Sequence, residues 1–217
     1  VGKDAVIAQA HFGTTGAACS IGEQPAKELI DPAAMARMSV AEALTNIVWA
    51  EVSGLGDIRC SGNWMWAPKL PGEGAALYDA ARAMRDVMVA LGVAVDGGKD
   101  SLSMATRVGA ETVKSPRELV VSVYAAVSDI RKTVTPDIKR PGESVLLFID
   151  LGGGKNRLGG SALAQTRGSV GSESPDLDDP ATLKAAFETV QHYIDRGLIL
   201  AGHDRSATTA VGVTDMR

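Results

Sequence analysis

Side chains able to do chemistry concentrate in a few short stretches of this sequence. Residues 93–104, VAVDGGKDSLSM, interrupt a short apolar run with Gly97 and Gly98 and then present Lys99, Asp100, Ser101 and Ser103. Glycine has no Cβ, so the backbone there can come close to another group while a cation and a carboxylate occupy the same bend. A phosphate or a metal-bound nucleotide fits that composition. So does a tight turn between two strands with solvated charges.

Glu42 and Asn46 stand at i and i+4 of a helical pattern, which puts both oxygen-bearing side chains on one face. A carboxylate with an amide carbonyl is a hard-oxygen pair suited to magnesium, and a side-chain hydrogen bond along an exposed helix is the alternative. In DIRCSGNWMWAPK, residues 57–69, Trp64 and Trp66 share a face if the segment is extended, and could stack a base or sugar or fill a core. Residues 202–206, Gly-His-Asp-Arg-Ser, follow a strand pattern and set Asp204 at a strand mouth, with His203 read as structural. The sequence contains no spaced Ser/His/Asp set, nucleophile elbow, Rossmann glycine pattern or Walker lysine. Cys19 and Cys60 belong to no CxxC pair and read as buried, reduced thiols.

These residues need elements to position them. A strand is expected over 4–10 and a loop over 11–22. A helix follows, capped by Asp31 with Pro32 in its first position and with Met35, Met38, Leu44, Ile47 and Val48 on its apolar side. An alanine-rich helix covers 71–92. The run LVVSVYAAV at 119–127 reads as a strand covered on both faces. Residues 129–142 read as a connector, 145–151 as a buried strand, 181–196 as a helix with Leu183, Phe187, Val190 and Ile194 in one stripe, and 198–201 as a strand. Taken by themselves these elements are expected to make a two-part α/β protein.

With 217 residues, 45% of them hydrophobic and 22% charged, the chain can bury a core. A net charge of −4, with no run of Lys and Arg longer than two, argues against nucleic acid or an acidic membrane as partner. No apolar run reaches the roughly 20 residues of a membrane helix, and the N-terminus is unlike a signal peptide, so an intracellular, cytoplasmic chain is expected. A start at Val1 suggests a fragment or a processed product.

AEALTN around Glu42, CSGNWMWAPKLPGEGAAL from Cys60, VDGGKDSLSM, LGGSALAQ at 158–165 and AGHDRS at 201–206 together resemble the phosphoribosylformylglycinamidine synthase family, large amidotransferases of purine synthesis. The resemblance runs in register over residues 4–206, to the second of two related synthetase halves. It implies the fold class α+β / α/β: an α+β, aminoimidazole-ribonucleotide-synthetase-like N-terminal domain, missing its beginning, over 1–130, before a smaller α/β domain. A linker follows over 131–142, then a partial synthetase-like C-terminal domain over 143–206 and a divergent tail over 207–217.

The family reaction uses ATP, magnesium and glutamine to turn formylglycinamide ribonucleotide into the amidine. Glutamine is split by a separate glutaminase domain that nothing here resembles. In the second half of such enzymes an auxiliary ATP or ADP is held with Mg2+. The resemblance carries the metal role to Glu42, Asn46 and Asp204, and the nucleotide contact to Ser206. Asp4 is a further metal candidate, although KDAVIA is one residue shorter than the family strand. Lys99 is a nucleotide-binding candidate, the other possibility being a pairing of Lys99 with Asp100.

The family phrase HDxSDGG becomes HDRSATTAVGV here, so the tail reads as foreign sequence. The expectation is therefore a fragment of the ligase that carries the auxiliary site, partnered by the other synthetase half and the glutaminase domain. The rival expectation is a non-catalytic docking module that binds no nucleotide.

Overall fold

A computed structural model describes residues 6–9, 13–205 and 210–216. An antiparallel and parallel sheet of five strands runs in the order β1-β2-β7-β3-β4. Its strands are β1 (Val6–Gln9), β2 (Gly16–Glu23), β3 (Arg59–Met65), β4 (Ala94–Ser101) and β7 (Glu118–Val127), and β5 (Ala105–Val108) with β6 (Glu111–Lys114) forms a separate hairpin. The short α1 (Pro25–Glu28) leads into α2 (Pro32–Ile47). Asp31 caps α2 by accepting from the N–H groups of Ala33 and Ala34, at 2.8 and 3.0 Å, while Pro32 sits where no N–H is needed.

Helices α2 and α3 (Glu73–Leu91) cover one face of the sheet. Gly92, at φ 77°, ends α3 in the left-handed conformation that glycine adopts without strain. Met35, Leu44 and Ile47 of α2 meet Met84, Val87 and Leu91 of α3 and Leu119, Val121 and Val123 of β7 in one core. Contact between α2 and β2 is close enough to require a glycine: a Cβ on Gly22 would stand 1.9 Å from the Ser39 carbonyl oxygen.

Beyond β7, residues 128–144 lead to a three-stranded sheet, order β8-β10-β9, built from β8 (Val145–Asp150), β9 (Ile199–Gly202) and β10 (Ala210–Met216). The segment expected to be a foreign tail thus supplies the middle strand, antiparallel to both neighbours. After the short α4 (Ala162–Thr166), α5 (Pro180–Asp195) buries Leu183, Phe187, Val190 and Ile194 in the same core as α2 and α3. Arg37 on α2 reaches Asp176 through two parallel hydrogen bonds of 2.7 and 2.6 Å, a second tie across the connector.

Several expectations change. The glycines of residues 93–104 do not make a bend: they lie inside β4, which runs parallel to β3. They permit close strand approach, since a Cβ on Gly98 would fall 2.3 Å from the Gly62 carbonyl oxygen. More than half of the loop expected over 11–22, residues 16–22, belongs to the strand β2. Strand β7 buries alternate residues on one face, and the sequence hid this alternation because the outward positions Val120, Tyr124 and Ala126 are also non-charged and largely apolar. Strand β8 is exposed rather than buried, with Val145 and Leu146 at 64% and 63% accessibility. Cys60 is buried as expected, but Cys19 is exposed on the uncovered face.

Candidate functional site

The site is built where the C-terminal end of α2 meets the strand mouth of β9. Asn46 is buried, and its Nδ2 donates to the Ile21 carbonyl of β2 at 2.9 Å. That bond fixes the amide orientation and leaves Oδ1 as the acceptor available to a ligand. The end of α2 is itself clamped from α5. Gln191 Nε2 donates to the carbonyls of Val48 and Ala50 at 2.6 and 2.8 Å, while its Oε1 accepts from the Val52 N–H at 3.0 Å. One side chain therefore satisfies carbonyls that a helix terminus leaves open.

Strand β9 arrives at the same place. The Gly202 N–H donates to Thr135 at 3.2 Å, and the Val134 N–H donates to the Trp49 carbonyl at 2.9 Å, so residues 133–136 are stitched between α2 and β9. Directly after the strand, Asp204 is buried at 8% accessibility. The His203 Nδ1 lies 2.5 Å from the Asp204 carbonyl and 3.3 Å from its Oδ1. Asn46 and Asp204 line one cleft of about 170 Å³ together with Trp49, Thr133, Thr135 and His203.

Glu42 lies one helical turn before Asn46, with its Oε2 accepting the Glu23 N–H at 2.7 Å. Among the described residues, no three of His, Cys, Asp and Glu converge into a ready metal cluster. The carboxylate and side-chain amide oxygens at the cleft come from Asp204 and Asn46, and Thr133 and Thr135 add hydroxyls. That set fits magnesium, which takes one or two carboxylates and completes its shell with water and phosphate.

Ser206 and Asp4 lie outside the described residues. Lys99 does not join this cleft. It is on the edge strand β4, donates to Ser101 Oγ at 2.6 Å, and lines a separate cleft with Asp100 and Trp64.

The sequence gives no spacing signal for Trp49, and none for Thr133 or Thr135, which fall in residues 129–142, read as a plain connector. The one hint is the glycine before His203. A Cβ on Gly202 would sit 2.2 Å from the Trp49 ring, so that strand end must be bare.

A mixed sheet with helices on one face, followed by a smaller sheet, defines the chain as an α+β protein of the aminoimidazole-ribonucleotide-synthetase-like fold. It superposes on T. maritima PurL complexed with FGAR with a TM-score of 0.69 at 14% identity, covering 93% of this chain and 31% of that one. A thiamine monophosphate kinase from Aquifex aeolicus shares the fold at a TM-score of 0.56 and 10% identity, over 93% of this chain and 61% of the kinase.

The chain belongs to the FGAR-AT PurM_N-like domain family, whose model matches residues 1–126. It is 58% identical over 203 residues to the probable phosphoribosylformylglycinamidine synthase, chloroplastic/mitochondrial, of Arabidopsis thaliana, covering 93% of this chain and 14% of that protein. The phosphoribosylformylglycinamidine synthase of Homo sapiens is likewise 58% identical over 203 residues, with 93% and 15% covered. The chain thus spans about a seventh of the length of these relatives. Among its described residues no helix is long and apolar enough to cross a membrane.

Proposed function

We propose that this chain is part of a longer cytoplasmic ligase that uses ATP and glutamine to convert formylglycinamide ribonucleotide to its amidine in purine synthesis. Its own contribution is an auxiliary Mg2+–ATP or Mg2+–ADP site. The observation that supports this reading is the meeting of Asn46 and Asp204, from opposite ends of the chain, in one cleft beside a clamped helix end. Asn46 and Asp204 would hold the cation. Glu42, whose Oε2 accepts the Glu23 N–H, and Asp4 would be further ligands of the cation, and Ser206 would contact the nucleotide.

When bound, the ion supplies charge neutralisation for the nucleotide phosphates. The chain's residues do the positioning: Nδ2 of Asn46 is tied to β2, and Gly202 lets Trp49 wall the cleft. The remaining synthetase half and a glutaminase domain of the longer protein would carry the chemistry.

Calorimetric titration of the folded chain with ADP, with and without magnesium, tests the reading. Magnesium-dependent binding that is lost in Asp204→Ala and weakened in Asn46→Ala is expected. A folded chain that takes no nucleotide would instead favour a docking module without an ion.

A further inference from the structure

The cleft at the end of α2 holds a donor that nothing among the described residues satisfies. Trp49 is 7% exposed and lines that cleft, and its Nε1 is buried with no hydrogen-bond partner. Gly202 does not meet it. The atoms against that glycine are Cε3, Cζ3 and Cη2 of the six-membered ring, whereas Nε1 belongs to the five-membered one. An indole nitrogen only donates, so burial without an acceptor is costly, and native chains rarely leave such a group unpaired. Trp66 shows the usual solution, its Nε1 donating to the Glu73 carbonyl at 3.0 Å.

The hydroxyls that share the cleft are already engaged. Thr133 Oγ1 donates to the Ile130 carbonyl at 2.8 Å, and Thr135 Oγ1 to Asp137 at 3.0 Å. At about 170 Å³ the cleft is smaller than the roughly 300–1,000 Å³ of pockets that enclose a whole small molecule, so it takes the end of a ligand. Magnesium alone would not answer the Trp49 N–H. A cation accepts no hydrogen bond, and a water bound to it turns its lone pair to the metal and offers hydrogens. A phosphate oxygen does accept, and its charge strengthens the bond. On the reading of this cleft as a magnesium–nucleotide site, we propose that Trp49 is a further binding residue there: its indole N–H donates to a phosphate oxygen, so that the indole responds to phosphate held with magnesium and not to magnesium alone.

The full chain labelled with 15N at its three tryptophans gives one indole N–H signal for each. The Trp49 signal, assigned through its contacts with Gly202, should stay in place with magnesium alone and move downfield when ADP is added with it. Magnesium pyrophosphate, which has neither base nor sugar, should move it the same way. Trp49→Phe keeps a ring in the wall and removes the donor, and in calorimetry it should weaken magnesium–ADP binding about tenfold, the size of one lost hydrogen bond to a charged group.

A Trp49 signal unmoved by bound magnesium–ADP, or moved by it but not by saturating magnesium pyrophosphate, would overturn the proposal and leave Asn46 and Asp204 as ligands. Full affinity in Trp49→Phe would do the same. A folded wild-type chain that binds no nucleotide would overturn the cleft reading and this proposal together. The wild-type signal decides the matter if Trp49→Phe does not fold.

Discussion

Gly202 lies flat against Trp49: a Cβ added to it would stand 2.2, 2.4 and 2.8 Å from three atoms of the indole six-membered ring. Trp49 cannot retreat, because it is buried and its carbonyl is held by the Val134 N–H. Gly202→Ala should therefore destabilise the chain by about 1–3 kcal/mol, the usual cost of overpacking. Gly56→Ala, where a Cβ meets nothing within 4 Å, should do little. Urea unfolding of the two variants compares them, and equal stabilities would refute the packing argument.

The pairing of Arg37 with Asp176 ties α2 to the segment before α5, with side chains 26% and 18% exposed. Two parallel charge-assisted hydrogen bonds in partly buried surroundings hold Arg37 firmly protonated, the bond to Asp176 being the main cause. A double-mutant cycle on Arg37→Ala and Asp176→Ala should give a coupling of about 1–2 kcal/mol. Additive effects would mean that the two regions are joined by apolar packing alone.

Burial pushes the Cys60 thiol up to about 12, whereas Cys19 is exposed. Thiolate is the reactive form. A disulfide reagent at pH 8 should modify Cys19 rapidly and leave Cys60 untouched until denaturant is added. Two fast thiols in the native chain would contradict the burial of Cys60.

Glu28 and Glu73 share the Arg117 guanidinium yet shift in opposite directions. Hydrogen bonds from Arg117, and then Lys114, hold the Glu73 carboxyl below its ordinary value of 4.5. For Glu28, burial outweighs Arg117 and raises the carboxyl above 4.5. Glu73 therefore stabilises the fold above pH 4.5, and that contribution is lost as pH falls through its lower folded value. Glu28 does the reverse and weakens the fold as pH rises through the window above 4.5.

In urea titrations from pH 7 to 3, Glu73→Gln should lose most relative to wild type at neutral pH and converge with it in acid. Glu28→Gln should gain on wild type as pH rises. Parallel curves for all three proteins would remove the electrostatic explanation.

Local signals in this sequence are read well where a residue's role depends on its near neighbours. Asp31 followed by Pro32 specifies a helix start because the carboxylate reaches backbone N–H groups two and three residues on. Leu183, Phe187, Val190 and Ile194 specify a buried stripe because helical geometry alone puts them on one side. The Glu42 and Asn46 pair follows from the same periodicity, and the family resemblance adds Asp204 as its distant complement.

Other roles depend on what lies opposite, and sequence does not contain that. Gly97 and Gly98 read as a bend, but the neighbouring β3 backbone makes them a close contact between parallel strands. The apolar runs of β7 and β8 read as buried, but whether a strand face is covered depends on which elements pack over it. Residues 210–216, which read as foreign, pair between β8 and β9 because backbone hydrogen bonding asks only for an extended chain of the right length. The sequence by itself determined the helix starts, the apolar stripes and the chemical types at the candidate site. Tertiary structure alone decided that Asn46, Trp49, Thr135 and Asp204 share one cleft while Lys99 faces another, since long-range packing rather than local spacing sets those neighbours.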